Sequence, residues 1–452
     1  MLESLFKLKE NNTNVKAEVI GGVTTFMTMA YILAVNPTML AAAGMDKTAV
    51  LMATALAAFI GTLVMALLAN YPFALAPGMG LNAYFAYTVC GTMGYSWQIA
   101  LAAVFAEGII FILLSLTNVR EAIFNAIPFN LKKGVSAGIG LFIAFIGLQG
   151  AYLVVDNEST LLSYVDFAGE FHTKGICALL ALIGLFVTAI FYIKNVKGSI
   201  LIGILVTWTL GMIAQVTGLY TVDVQKGFYS LYPAWEMTDF SSLGLTFGQV
   251  FKADFSNVGI LKFIAVLFAF LFVDMFDTLG TLIGVATKAD MLDENGKLPR
   301  VKQALAADAI ATCAGAVLGT STTTTFVESS AGVAAGARTG LASAVTGILF
   351  LLSIFFSPIF CAIPGFATAP ALIFVGFLMI SAILKIDFSD MTEAIPAYLC
   401  LLCMPLMYSI SEGIAIGVIS YVIINVACKK AKKITPLMYI LAVLFIGKYI
   451  FL

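Results

Sequence analysis

Charge is what this chain has least of. Only 11% of its 452 residues are Asp, Glu, Lys or Arg, against about 25% in soluble domains. The 24 basic and 25 acidic residues nearly cancel. With no basic face, nucleic acid is excluded as a partner. Histidine is scarcer still: His172 is alone, in a loop between Glu170 and Lys174. Histidine-based catalysis and metal binding are therefore not expected, and neither a catalytic residue, a metal site nor a cofactor is assigned. The seven cysteines sit mostly inside apolar runs, where they read as small core hydrophobes. Cys400 and Cys403 are spaced Cys-x-x-Cys, but on an apolar helix with no nearby histidine, so they read as packing. A cleavable leader is not expected, because residues 1–18 are polar and the first apolar run is long enough to remain as a span.

What the chain has is hydrocarbon. It is 61% hydrophobic with a mean hydropathy of +1.02, and apolar runs of about 20 residues, the length that spans a bilayer, recur throughout. The expected fold is an all-α polytopic membrane protein. Its fourteen spans fall near 18–42, 48–69, 75–90, 96–116, 132–154, 174–193, 199–219, 258–287, 303–319, 321–338, 340–361, 367–385, 392–408 and 413–428. The polar and aromatic segment 220–257 reads as interfacial, and 435–452 is open between a further crossing and an interfacial helix. Lysine and arginine gather before span one and after spans four, six, eight and fourteen, all on one side if every span crosses. By the positive-inside rule that side, with the N-terminus, is cytoplasmic. The opposite loop, 155–173, is acidic.

The two halves look alike. Ile127-Pro128 opens a run reaching Gly140, and Ile363-Pro364 opens one reaching Gly376 at the same spacing. In a matching register Asn82 falls opposite Glu328. Seven spans per half is odd, so the second copy enters from the other face. Such inverted repeats hold their solute near mid-membrane, where interrupted helices meet.

Three patches carry improbable residues. In Ala74-Leu-Ala-Pro-Gly-Met-Gly-Leu-Asn-Ala83, Pro77, Gly78 and Gly80 argue against continuous helix. The expectation is an extended stretch, then a half-helix starting near Leu81 or Asn82 with free N–H groups; a kinked helix is the alternative. In Gly319-Thr-Ser-Thr-Thr-Thr-Thr-Phe326 the β-branched run favours extended backbone, and Glu328 then begins a small-residue half-helix through Gly332 and Gly336. Pairing 74–80 with 320–326 antiparallel would satisfy both backbones inside the membrane. A mid-bilayer carboxylate such as Glu328 costs at least about 2.5 kcal/mol, so it marks a solute site by default; an ion pair with Arg338 or a helix cap is the structural alternative. The Gly332–Gly336 spacing alone reads as helix packing. Third, Asp274 and Asp277 project from one face of span eight. Like charges buried together favour a proton on one of them, which suits proton coupling by Asp277, Asp274 or Glu328.

Three carboxylates and an amide without a basic residue argue against an anionic solute. A carboxylate accepts two hydrogen bonds side by side, which fits a planar heterocycle with adjacent N–H donors. Asn82 can donate and accept. Thr325, Phe326, Ser329 and Phe272 lie in the same patches as further contacts, and Phe26, Tyr31 and Phe276 are near enough in sequence to stack on a ring.

Gly21-Gly-Val-Thr-Thr-Phe-Met-Thr-Met-Ala-Tyr31, Ala76-Pro-Gly-Met-Gly-Leu-Asn-Ala-Tyr-Phe85, Asp274-Met-Phe-Asp-Thr-Leu-Gly280 and Thr322-Thr-Thr-Thr-Phe-Val-Glu-Ser-Ser-Ala-Gly332 together resemble the nucleobase–cation symporter (nucleobase/ascorbate transporter) superfamily. The likeness runs over roughly 15–430 and is nearest to the adenine/guanine/hypoxanthine permease branch. It implies fourteen spans in a seven-plus-seven inverted repeat, to which the residues above add short antiparallel strands in spans three and ten. It implies a core domain (18–116 and 258–361), a gate domain (132–219 and 367–428) and a C-terminal apolar segment, 435–452. Ligand contact is carried onto Asn82, Gly80, Asp274 and Glu328, with Asp277 as a supporting or proton-coupling acid. The ascorbate-type branch has a Gln-His pair where this chain reads Val35-Asn-Pro-Thr38, a departure that favours purines. The reading is a proton-driven importer of purine bases (hypoxanthine, guanine or adenine) in the cell membrane, working by an elevator-like shift of core against gate. Its partners are the base, a proton and membrane lipid, and a homodimer is left open. The rival readings are an anion carrier on the same fold and, more remotely, an intramembrane di-aspartate protease, which would need its acids on different helices.

Overall fold

In hydrocarbon surroundings an apolar segment satisfies its backbone only within itself, so helix dominates. The structure is a computed structural model describing residues 2–115, 126–233, 237–256, 258–288, 291 and 298–451. Arg120 and Lys297 of the charge pattern, and the side chain of Phe276, lie outside what is described. The helices are α1 (Leu2–Phe6), α2 (Val15–Met29), α3 (Ile32–Ala41), α4 (Lys47–Val64), α5 (Met79–Ala83), α6 (Trp97–Ser115), α7 (Phe129–Gly150), α8 (Ile176–Ile193), α9 (Ser199–Val216), α10 (Ile260–Lys288), α11 (Val301–Leu318), α12 (Ser329–Ala334), α13 (Gly340–Ser353), α14 (Ser357–Ala362), α15 (Gly365–Ile380), α16 (Met391–Leu406), α17 (Ile410–Ala427) and α18 (Pro436–Phe451). The strands are β1 (Leu75–Pro77), β2 (Val154–Asn157), β3 (Leu161–Tyr164) and β4 (Thr323–Thr325).

Eleven helical segments among the described residues are long and apolar enough to cross a membrane. They correspond to eleven of the fourteen expected spans. The other three differ for physical reasons. Segments 75–90 and 321–338 are each a strand followed by a short helix, and α16 is 16 residues long with Pro396 and Pro405 inside it. The C-terminal run forms α18, which packs on α17 and brings Phe445 within 5.8 Å of Phe268, centroid to centroid. The described part of 220–257 holds short 3-10 turns and an isolated bridge between Asp223 and Phe228, and it docks on the end of α11 through Thr246 Oγ1 to the Leu318 carbonyl (2.9 Å).

The expected strand pair is present. β1 and β4 run antiparallel with Leu75 opposite Thr325, Ala76 opposite Thr324 and Pro77 opposite Thr323. The pairing extends outward through Gly78 N–H to the Thr322 carbonyl and Phe326 N–H to the Ala74 carbonyl, both 3.0 Å. Neighbouring helices finish the hydrogen bonding. Thr62 on α4 donates to the Leu75 carbonyl and accepts from its N–H, and Thr312 on α11 donates to the Thr323 carbonyl. One boundary differs: Gly78 is extended (φ −73°, ψ 132°) and α5 begins at Met79, earlier than expected, because Pro77 needs no N–H partner and Gly78 serves as the cap. The chain then continues as a wider π-type helix through Thr92. The β2–β3 hairpin in the acidic loop was not expected; Asn157 Oδ1 accepts from the N–H groups of Ser159 and Thr160 to make its turn.

Helix packing falls into two sets. α11 lies on α4 and α6, and α13 on α2 and α4; α15 and α16 lie on α7, α16 on α17, and α8 on α9 and α15. The strand pair sits within the first set, against α4, α10 and α11, while α5 and α10 also touch α7. In the second set Gly140 and Gly376 meet: a Cβ on Gly140 would lie 2.8 Å from the Gly376 carbonyl oxygen, and one on Gly376 would strike the Gly140 carbonyl in turn.

Candidate functional site

The Thr-rich run is polar because its hydroxyls knit helices together. Thr320 accepts from Asn36 on α3 (2.9 Å), Ser321 donates to Asn82 Oδ1 on α5, and Thr322 donates to Glu107 Oε2 on α6 (2.8 Å). Thr324 meets Thr278 on α10 at 2.8 Å. The Thr323 and Thr325 hydroxyls are buried without a hydrogen-bond partner among the described residues.

α10 presents Asp274, Asp277 and Thr278 toward this pair. Asp274 is fully buried, and its Oδ1 is 2.9 Å from Thr278 Oγ1. Asp277 is only partly buried and has Asp274 and Glu328 as electrostatic neighbours. Its carboxylate reaches the start of α5: a Cβ on Gly78 would lie 3.3 Å from Asp277 Oδ2 and 2.5 Å from Thr324 Cγ2. Only glycine permits that approach.

Glu328, also partly buried, occupies the cap position of α12 but makes no capping bond. Its Oε1 accepts from the Tyr31 hydroxyl at 2.7 Å. Arg338 turns away, donating from Nη1 to the Val333 and Ala337 carbonyls at 2.7 Å, and its N–H goes to Glu18. Both structural alternatives weighed for Glu328 are thereby absent. Neither Asp277 nor Glu328 has an ion-pair partner among the described residues.

The remaining expected contacts divide. Asn82 is buried, its carbonyl held by Ser321 and its Nδ2 3.4 Å from the Pro77 carbonyl. Gly80 lies against α7, where a Cβ would meet Ile139 Cγ2 at 2.8 Å. Ser329 is committed to the frame, its Oγ accepting from the Ala74 N–H at 3.0 Å. Phe326 and Phe272 are buried, the latter tilted against Phe268 at 5.7 Å. Phe26 packs edge-on to Phe350. Gly332 serves packing: a Cβ there would lie 2.6 Å from the Gly21 carbonyl oxygen. A cavity of about 550 Å³ is lined by Glu10, Tyr71, Arg300 and Arg338 and by none of Asp274, Asp277 and Glu328.

Three buried acids escaped the sequence reading: Glu18, Glu107 and Asp308. Glu18 accepts from Thr13 and from the N–H groups of Arg338, Thr339 and Ala342, fastening α2 to the start of α13. The only local signal was an acid amid apolar and small residues, which also fits a wet helix face.

The Permease family matches residues 16–447. Guanine/hypoxanthine permease PbuG of Bacillus subtilis (strain 168) is 48% identical over 460 residues, covering 100% of both chains. Adenine permease AdeP of Escherichia coli (strain K12) is 42% identical over 453 residues, covering 100% of this chain and 96% of its own. The transmembrane domain of a cyanobacterium bicarbonate transporter, BicA, shares the fold with a TM-score of 0.63 at 16% identity, over 90% of this chain and 97% of that one. The chain belongs to the permease family, bearing out the resemblance of its motifs to the nucleobase–cation symporters.

Proposed function

We propose that this protein is a secondary active importer of purine nucleobases, coupled to protons, in the cell membrane with its N-terminus in the cytoplasm. The observation that carries it is the meeting of Asp274, Asp277 and Glu328 around two broken helices, two of these acids partly accessible. Glu328 and Asp274 would accept from the N–H edge of the base. The α5 and α12 N-termini, near Gly80 and Ser329, would face its carbonyl. The partnerless Thr325 hydroxyl supports a polar solute beside β4, since a buried hydroxyl left alone costs about 1–3 kcal/mol. Asn82 would act through the Ser321 contact, and Phe326 and Phe272 would wall the ring. The relatives named for guanine, hypoxanthine and adenine agree in substrate class.

Fourteen crossings, seven plus seven and inverted, follow if the two broken helices and α16 each cross. The antiparallel β1–β4 pair and the reciprocal Gly140–Gly376 contact support a two-fold relation between halves. The first packing set would be the core and the second the gate, moving as rigid bodies past one another. An anion carrier gains no support, because Arg338 is occupied by carbonyls.

The test is uptake of radiolabelled hypoxanthine, guanine and adenine by cells lacking purine permeases, with unlabelled competitors. Uptake indistinguishable from empty cells for all three bases removes the purine reading. Uptake that survives collapse of the pH gradient removes proton coupling.

A further inference from the structure

The cavity of about 550 Å³ lies where four segments meet: the turn after α1, Tyr71 ahead of β1, the cap of α11 and the link between α12 and α13. All four fall on the side of the N-terminus if every span crosses, the side that the proposed function gives to the cytoplasm.

Its wall is rich in donors that have nothing to donate to. The Tyr71 hydroxyl is buried and finds no acceptor among the described residues, and an unmade buried hydrogen bond is costly. Arg300 stands over the Tyr71 ring, its guanidinium carbon 5.3 Å from the centroid, and has no ion-pair partner among the described residues. Arg338 spends Nη1 on the Val333 and Ala337 carbonyls, which leaves Nε and Nη2, since a guanidinium carries five N–H donors and no acceptor. Arg300 also occupies the cap of α11 without a side-chain capping bond, so the positive end of that helix lies at the same wall. Two carboxylates are near, and both are committed. Glu10 pairs with Lys7 at 3.1 Å, and Glu18 accepts from the N–H groups of Arg338, Thr339 and Ala342. Surplus donors with surplus positive charge call for an anion with several acceptor oxygens, and arginine forks match phosphate.

The cavity is more than a bare phosphate fills and falls within the range of about 300–1,000 Å³ of small-molecule sites. The rest of its wall includes Asn12, Met291 and Pro299. An amide that donates and accepts, beside two apolar side chains, suits a flat polar ring. We infer that this cavity binds a purine nucleoside monophosphate, with Arg300, Arg338 and Tyr71 on the phosphate and Asn12, Met291 and Pro299 around the base. The choice of purine and of the cytoplasmic side rests on the proposed function; the phosphate chemistry does not. The site is separate from the one for the free base, because none of Asp274, Asp277 and Glu328 lines it.

The test is equilibrium binding of radiolabelled guanosine monophosphate to purified full-length protein in detergent. The wild type should bind it saturably. Guanosine, inorganic phosphate and phosphatidylglycerol vesicles should each compete poorly, since each lacks the base, the phosphate monoester or both ends together. Arg300→Gln and Tyr71→Phe should each weaken binding about tenfold or more, while melting without nucleotide as the wild type does. Lys302→Gln, beside Arg300 in sequence but not on the wall, should bind as the wild type. Absence of saturable binding overturns the inference, as does binding that Arg300→Gln and Tyr71→Phe leave unchanged. Competition by inorganic phosphate or by the lipid as strong as by the nucleotide itself overturns the nucleotide assignment. Binding of radiolabelled guanine, equal in the wild type and Arg300→Gln, reports the carrier site separately. If guanine does not bind, the proposed function fails, while the nucleotide measurement still decides the cavity.

Discussion

Asp274 and Glu328 differ in what holds them, and the difference sets what their loss should do. Glu328 receives one hydroxyl, Tyr31, and keeps an exposed share; Asp274 is enclosed and shares Thr278 with Asp308. In the proposed site both accept from the base, and a hydrogen bond to a charged group contributes about 1.5–3 kcal/mol. Glu328→Gln and Asp274→Asn should each therefore lower kcat/KM for purine uptake about 10- to 150-fold, with the protein still reaching the membrane. Normal uptake in both variants would remove these residues from the site. Tyr31→Phe removes one neutral-to-charged bond and leaves the carboxylate, so it should cost less than Glu328→Gln in the same assay. Much of this was legible beforehand: an acid after a Thr run and two acids three apart stand out in an oily chain. Asp308 and Glu107 did not, because each lies in a helix that reads locally as an ordinary small-residue face. Their partners, Thr278 and Thr322, are 30 and 215 residues away.

At the level of elements, the strand pair depends on a clearance. A Cβ at Gly78 would press on Thr324 Cγ2 and crowd Asp277. Gly78→Val should separate β1 from β4, expose their backbone groups and abolish uptake. Gly44→Ala, at a position with nothing within 4 Å but with φ +83°, should cost about 1–2 kcal/mol of stability, from backbone strain alone, and leave transport intact. Thermal melts in detergent with uptake assays separate the two. The pairing was readable because Pro77 and four consecutive threonines both disfavour helix. The start of α5 was misplaced by about two residues because the capping role of Gly78 depends on the partner strand. The β2–β3 hairpin was missed because acidic loop composition masked its Asn157 turn. Outside the membrane, Asp390 caps α16 and takes Lys430 and Lys433 from the turn after α17. Those hydrogen bonds, Lys430 first, hold its carboxyl well below the usual range. A depressed folded value contributes stability above the unfolded one, near pH 4, and loses it as pH falls through the folded one. Asp390→Asn should thus lower the melting temperature slightly at neutral pH. The gap should narrow below about pH 4 and in high salt, which screens exposed pairs. A gap independent of pH would reject that pairing as the cause.

For the whole molecule the question is what moves. α7 and α15 touch backbone to backbone at Gly140 and Gly376, so that set has little room to slide internally. Few contacts tie it to the strand-bearing set, among them α5 and α10 on α7. Gly80 at that seam lies beside Ile139, and a sliding surface tolerates smooth apolar contacts better than hydrogen bonds fixed in one register. Under the proposed mechanism, motion should concentrate there. A disulfide between Cys residues placed at 80 and 139 should therefore arrest purine counterflow, and reductant should restore it. The reduced double mutant, which should transport, is the control for the cysteines themselves. If the 80–139 crosslink forms fully and counterflow continues, the two sets do not slide past each other, and the carrier works by a local gate around Asp277 and Glu328.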